Sequence, residues 1–284
     1  NSSSKLSLFE LLTDKNYEKL VNTEFLDSIL KSGIYISEEK QLYKVEQLIH
    51  HKKYTDALFL AQEVILRNSN YHKAYYLRSV ISSEMNDLNK ALNDINRALE
   101  ITKVPAKYYF QRAQLLAKKN DYQNALADIK KVIRKEPYHT EYYLFKAELL
   151  FQLERYNEVV SIIDALLPLM PDNPEVLILK AKTLYHDQKF LEALKVVNES
   201  FDYRQSKNQF ELRGDIYSAT NTYAYAIQDY SMYLDIEPYN GDIYAKKGYA
   251  RLKTGDKTGA CSDWEKGKRY GSYEAIKYWE KYCR

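Results

Sequence analysis

The sequence predicts an all-α solenoid of antiparallel helix pairs closed by capping helices. Three observations carry that prediction. From Glu38 onward the chain matches itself at a fixed period: Ala57, Ala91, Ala125, Val159, Ala193, Ala226 and Ala260 follow one another at steps of 34, 34, 34, 34, 33 and 34 residues. A period of this size is the signature of stacked repeats. Within a period, apolar residues recur at the three-to-four spacing of a helix face. Only 8 Gly and 6 Pro punctuate 284 residues, as suits helices joined by short turns.

Residues 1–37 fall outside the repeat. The stretches Leu6 to Leu12 and Tyr17 to Leu30 read as helical, with Leu20, Phe25, Ile29 and Leu30 available for burial and Gly33 as a stop. They are expected to form an N-terminal helical cap or a degenerate repeat. Seven units follow, over 38–71, 72–105, 106–139, 140–173, 174–206, 207–240 and 241–271. In the unit 106–139, Tyr109, Ala113 and Leu116 share one face of a first helix, and Ala125, Ile129 and Val132 share one face of a second. Asn120 and Asp121 make the turn between them, and Pro137 ends the second helix. The fifth unit is one residue short near Tyr203, where a local irregularity is expected.

Small residues recur where paired helices must approach: Ser79, Ala113, Ala147, Ala181, Gly214 and Gly248 in first helices, facing the alanine series of the second. Large residues fill the adjoining places, Ile95, Ile129, Ile163, Val197, Tyr230 and Trp264 among them. After the seventh unit the chain turns at Gly271 and is predicted to return as a C-terminal capping helix, Tyr273 to Tyr282, within 272–284. Ala275, Ile276, Trp279 and Cys283 form its inward stripe, beside Trp264. A terminal lid is required because the last repeat otherwise exposes an apolar face. Cys261 and Cys283 lie ten residues before and twelve after Gly271. In an antiparallel hairpin they can meet, either as a disulfide or as two buried thiols.

One place in the first helix is always basic: Lys44, Arg78, Arg112, Lys146, Lys180, Arg213 and Lys247. Asp94, Asp128, Asp229 and Asp263 occupy one place in the second helix, and all three Arg units have the Asp. A row of Arg could grip an anion. Co-occurrence favours an Arg–Asp pair that ties the two helices of a unit together.

The combination resembles the tetratricopeptide repeat family: 34 residues, an aromatic, a small residue four places later, the second-helix alanine, and Pro137, Pro171 and Pro238 at the terminal proline place. The resemblance covers residues 38–271 and is weaker in the first unit, where Gln41 and Val45 stand at the aromatic and small places. It implies a right-handed superhelix with a concave groove lined by first helices. Leu42, Tyr76, Phe110, Leu144 and Ile178 would then form an apolar stripe in that groove, continued by Glu211 and Ala245. Further along the first helices lie Val80, Gln114, Glu148, Lys182, Asp215 and Tyr249, and after them Phe151 and Tyr185. Such a mixed groove with aromatic anchors suits an extended peptide or a helix of a partner protein. The alternative for the stripe is ordinary packing between repeats. The Lys and Asn set with which some family members hold a peptide carboxylate is absent: Leu42 and Glu46, Tyr76 and Val80, and Phe110 and Gln114 stand in its places.

The ending Gly259-Ala260-Cys261-Ser262-Asp263-Trp264, with Gly271 and Tyr282-Cys283, looks like the close of many tetratricopeptide proteins of Bacteroidetes-type bacteria. That resemblance implies the cell envelope, periplasmic or lipid-anchored, with a cytoplasmic place as the alternative. The chain opens on Asn1 rather than Met, so an upstream segment is expected, and a removed signal peptide or a lipid anchor is left open.

No chemistry stands out. Lys and Arg number 42 against 39 Asp and Glu, interspersed along the chain, which gives no argument for nucleic acid. No apolar run is long enough for a transmembrane helix. His50, His51, His72, His139 and His186 lack metal-ligand spacing, and the nucleotide and nucleophile motifs are missing. The expectation is a non-catalytic scaffold or adaptor without cofactor or metal that binds a partner protein or peptide, within an envelope complex. The alternatives are a peptide-capturing, chaperone-like or sensing module and, behind it, a glycan-related accessory enzyme.

Overall fold

The computed structural model describes residues 37–284; the expected N-terminal cap over 1–37 lies outside the described residues but for Ser37. Among the described residues, regular structure consists of fifteen α-helices and no strand. The chain divides into two compact units, one ending at Leu149 and the other running from Leu150 to Arg284. The first contains α1 (Ser37–His50), α2 (Tyr54–Arg67), α3 (His72–Glu84), α4 (Leu88–Ile101), α5 (Ala106–Lys118) and α6 (Tyr122–Lys135). The division falls within α7 (Thr140–Gln152). The second contains α8 (Tyr156–Leu166), α9 (Pro174–His186), α10 (Phe190–Ser200), α11 (Lys207–Ala219) and α12 (Tyr223–Ile236), then α13 (Gly241–Lys253), α14 (Lys257–Arg269) and α15 (Tyr273–Tyr282).

The helices pack in adjacent pairs. In the first unit these are α1 with α2, α3 with α4 and α5 with α6; in the second, α9 with α10, α11 with α12 and α13 with α14. Three residues separate the partners of each pair, and the middle one is left-handed. Lys52, Asn86, Asn120, Glu154, Gln188 and Asn221 have φ between 57° and 61°, and Gly255 has φ 89°. In three of these turns the third residue caps the second helix: Asp87, Asp121 and Asp256 accept from the backbone N–H three residues on, at 3.1, 3.4 and 2.8 Å. Left-handed residue and acceptor together reverse the chain and satisfy a free helix-start donor.

The second helices bury one face and solvate the other. Ala91, Asp94, Ile95, Ala98 and Leu99 are the buried residues of α4, with Asn93, Asn96 and Arg97 outside. Helix spacing is set by a size exchange across each pair. Where the second helix offers Ile95 or Ile129, the first offers Ser79 or Ala113; where it offers Tyr230 or Trp264, the first offers Gly214 or Gly248. A Cβ on Gly214 would stand 2.7 Å from the Tyr230 ring, and one on Gly248 would stand 2.5 Å from the Trp264 indole nitrogen. Glycine is there because the aromatic ring lies against the opposite backbone.

The short fifth unit is irregular. Its second helix stops at Ser200, a fully buried residue whose hydroxyl donates to the Val197 carbonyl at 2.6 Å. Gln209, also fully buried, donates to the Ser200 hydroxyl and the Arg204 carbonyl, both at 2.8 Å. A buried side-chain amide thus satisfies the Arg204 carbonyl, which no helix beyond Ser200 can reach, and ties it to the Ser200 hydroxyl. The equally short α8, eleven residues, has no such signal in its full-length repeat.

The C-terminal helix packs on both α13 and α14. Its inward side keeps Ala275, Trp279 and Cys283 of the expected stripe and loses only Ile276. Ala275 is buried, but Tyr278 and Tyr282 stack on Trp264 at centroid distances of 5.3 and 5.7 Å, while Ile276 lies outside the core cluster that Trp264 anchors. Flat tyrosine rings cover the indole face, which a branched aliphatic chain would match poorly. Cys261 and Cys283 are joined by a disulfide with Cα atoms 5.7 Å apart, fastening α14 to the end of α15.

Two outcomes follow for stability. Gly248→Ala lowers it by about 1–3 kcal/mol in urea unfolding through overpacking. Paired with Trp264→Ile, it costs less than the sum of the single changes; strict additivity would remove the size-exchange account. Replacing both cysteines by serine opens a loop of 22 residues and costs about 2–4 kcal/mol, visible as a lower Tm than the oxidised protein.

Candidate partner-binding surfaces

The Arg series is consumed within the fold. Arg78 donates to Asp94 through Nε and Nη2 at 2.7 and 2.5 Å, Arg112 to Asp128 at 2.6 and 2.9 Å, and Arg213 to Asp229 at 2.8 and 2.7 Å. The third nitrogen, Nη1, reaches the second helix of the preceding repeat. It bonds Gln62 for Arg78, Asn96 at 3.0 Å for Arg112, and Asn198 at 2.9 Å for Arg213. The Asp hydrogen bonds hold all three guanidinium groups charged, raising their pKa against the pull of burial. An anion grip would need donors aimed at a ligand. These are aimed at Asp, Asn and Gln.

The seventh repeat differs, because its basic place holds Lys247. Its ammonium is 3.9 Å from one Asp263 carboxylate oxygen, and Arg251 lies 3.1 Å from the other, an ion pair that makes no hydrogen bond to it. A single point charge cannot supply the fork. Burial therefore dominates here, pushing Asp263 up and Lys247 down.

In the first unit the predicted anchors lie between repeats. Tyr76 stacks on Tyr108 at 4.7 Å, and Phe110 meets Tyr142 at 4.9 Å and the edge of Phe145 at 5.7 Å. Both rings are half-buried, as are Val80, Gln114 and Leu144, whereas Glu148 is exposed. Leu42 is a correction. It is fully buried among Val45, Ala57, Ala61 and Leu77, because α1 turns this face into the core, and it offers no surface to a partner.

In the second unit Ile178 packs against the core of Leu177, Ala181 and Val197. Phe151, Lys182 and Tyr185 line one recess of about 420 Å³ together with Asn208, Glu211 and Asp215. A wider recess of about 760 Å³ shares Tyr185, Glu211 and Asp215 and continues past Lys246 and Tyr249 to Glu274 and Tyr278 of the capping helix. Its floor is an ionic network. Lys246 donates to Glu211 and Asp215, both at 2.8 Å, and the Tyr230 hydroxyl donates to Asp215 at 2.8 Å. Burial pulls Lys246 down, but the two carboxylates outweigh it and its pKa ends above the ordinary lysine value. Glu211, Asp215 and Tyr249 were legible from repeat register, one or two repeats on from Ile178 and Lys182. Lys246, Tyr223 and the capping-helix residues were not, since no repeat position marks them.

No group of three or more His, Cys, Asp or Glu among the described residues could hold a metal ion. No helix among them is long and apolar enough to cross a membrane.

Two stretches, residues 72–104 and 116–199, match models of the tetratricopeptide repeat. The chain carries tetratricopeptide repeats. None of the curated proteins compared matches it. Solved repeat structures do resemble it. A tetratricopeptide repeat protein from Parabacteroides merdae has a TM-score of 0.72 and 18% identity, over 87% of this chain and 99% of that one. Cut9–Hcn1 of the APC/C reaches a TM-score of 0.74 at 12% identity, over 92% of this chain and 52% of that one. PilW, a widely conserved type IV pilus biogenesis factor, gives 0.62 at 14% identity, over 72% and 96%. These likenesses establish the repeat fold.

The Arg place yields one expectation. A double-mutant cycle on Arg112→Ala and Asp128→Ala gives a coupling of about 1–3 kcal/mol in denaturant unfolding; zero coupling would show that the contact does not hold the pair together.

Proposed function

We propose that this chain is a non-catalytic docking scaffold that holds a partner polypeptide on the first-helix face of its second unit. The observation that carries the reading is the convergence of Phe151, Lys182 and Tyr185 in one recess with Asn208, Glu211 and Asp215. Half-buried aromatic anchors beside polar groups that fix orientation are the make-up of a polypeptide docking site. Tetratricopeptide folds are typical of interaction scaffolds, which accords with this surface. The first-helix face around Tyr76, Val80, Phe110, Gln114, Leu144 and Glu148 is a separate candidate surface of the first unit.

We further place the scaffold in a bacterial cell envelope, periplasmic or lipid-anchored. The Cys261–Cys283 disulfide supports an oxidising compartment. Resemblance to a pilus biogenesis factor points the same way. The second reading is a module that captures short or unfolded peptides transiently. It draws on the open, mixed lining of the two recesses and differs in giving many ligands in place of one.

Affinity capture from envelope extract separates the readings: a scaffold retains one stoichiometric partner, a peptide-capturing module many unrelated segments. Phe151→Ala with Tyr185→Ala abolishes that capture while the far-ultraviolet circular dichroism stays helical. Loss with Tyr76→Ala and Phe110→Ala instead would move the site to the first unit. Capture that survives both pairs would rule out the first-helix faces.

A further inference from the structure

We infer that the wider recess beside the capping helix selects a partner segment carrying arginine. The inference rests on the docking reading above and specifies the chemistry of its ligand. Four carboxylates line this recess, Glu211, Asp215, Asp242 and Glu274, against one lysine, Lys246. That lysine is spent on the floor, where it neutralises one carboxylate and bridges two. Ser272 donates to Asp242 at 2.6 Å without cancelling its charge.

Further lysines stand around the recess, among them Lys207, which pairs with Glu237 and lies within electrostatic reach of Glu211. Lys277 approaches Glu274 at 3.8 Å on the exposed side of the capping helix, Lys253 lies 5.3 Å from the Tyr249 ring, and Lys182 belongs to the adjoining recess. Lys277 and Lys253 are solvent-exposed, so salt screens them more than it screens Asp215 within.

Five tyrosines also line it, alongside Ser218, Ala219, Asn221 and Ala245. Tyr249 lies 6.4 Å from Tyr223 and 5.8 Å from Tyr278, ring centre to ring centre. Tyrosine faces attract cations, and a guanidinium both stacks on such rings and forks a carboxylate, which an ammonium cannot. An acidic segment would meet four carboxylates in the lining and a single lysine already bridged between two of them. The recess is therefore opposite in sign to a grip for a peptide carboxylate.

Fluorescence anisotropy on the oxidised full chain tests this with three labelled probes, short Gly-Ser peptides centred on Arg-Leu-Arg, Gln-Leu-Gln or Glu-Leu-Glu. The Arg probe binds at least about tenfold tighter than the Glu probe, the scale of one or two charge-assisted contacts. Glu211→Gln with Glu274→Gln reduces that preference to about twofold, and Glu274→Gln alone, at an exposed position, weakens it partway with the fold undisturbed. Equal binding of the Arg and Glu probes overturns the inference, as does a preference that survives both substitutions, or binding of none of the probes. Equal binding that is lost with Phe151→Ala and Tyr185→Ala keeps the docking reading and removes only the selection for arginine. If none of the probes binds and envelope extract yields no captured partner, the docking reading falls as well.

Discussion

Each three-handed arginine ties a repeat to itself and to its predecessor. Two donors grip an Asp sixteen residues ahead and the third reaches an Asn or Gln in the preceding second helix, fifteen or sixteen residues back. Because the guanidinium is planar and its donors are fixed, it sets orientation as well as distance. Where the place holds Lys146 or Lys180, the second helix offers Ile162 or Val196 instead. Those are the repeats with eleven-residue second helices, and the division between the two compact units falls in the first of them. The three arginine-clamped repeats keep second helices of fourteen residues, as does the first repeat, which has Lys44 and Leu60 in place of the clamp.

Packing follows the same local economy. Small and large residues trade places across the helix pair, so glycine stands opposite Tyr230 and Trp264. The left-handed turn residue returns with the period, although Lys52, Glu154 and Gln188 have no intrinsic preference for that conformation. Helix packing on both sides imposes it, at a backbone cost of about 1–2 kcal/mol for a residue other than glycine.

The surfaces left for a partner are defined by what the stack does not consume. Tyr76 and Phe110 each give part of a ring to the following first helix. In the second unit the recess beside Tyr185 has Glu211 where the preceding repeats carry the apolar stripe, and Lys246 holds it together with Asp215 of the neighbouring row. The cap adds Tyr278 and Glu274, so the lid that closes the core also builds a wall of the recess.

The sequence by itself determined the repeat, its helix pairs, the turns, the Arg–Asp partnership and the position of the cap. All of these depend on residues within one period, where spacing alone dictates who can meet. Only the tertiary structure decided that Leu42 is core, that the third arginine donor crosses to the previous repeat, that Tyr278 and not Ile276 covers Trp264, and that Lys246 spans two carboxylates. These depend on side chains brought together from different helices, about thirty residues apart in sequence for Lys246 and Asp215. A residue's own register says which face of its helix it occupies; how much of that face remains uncovered is set by the neighbours stacked on it.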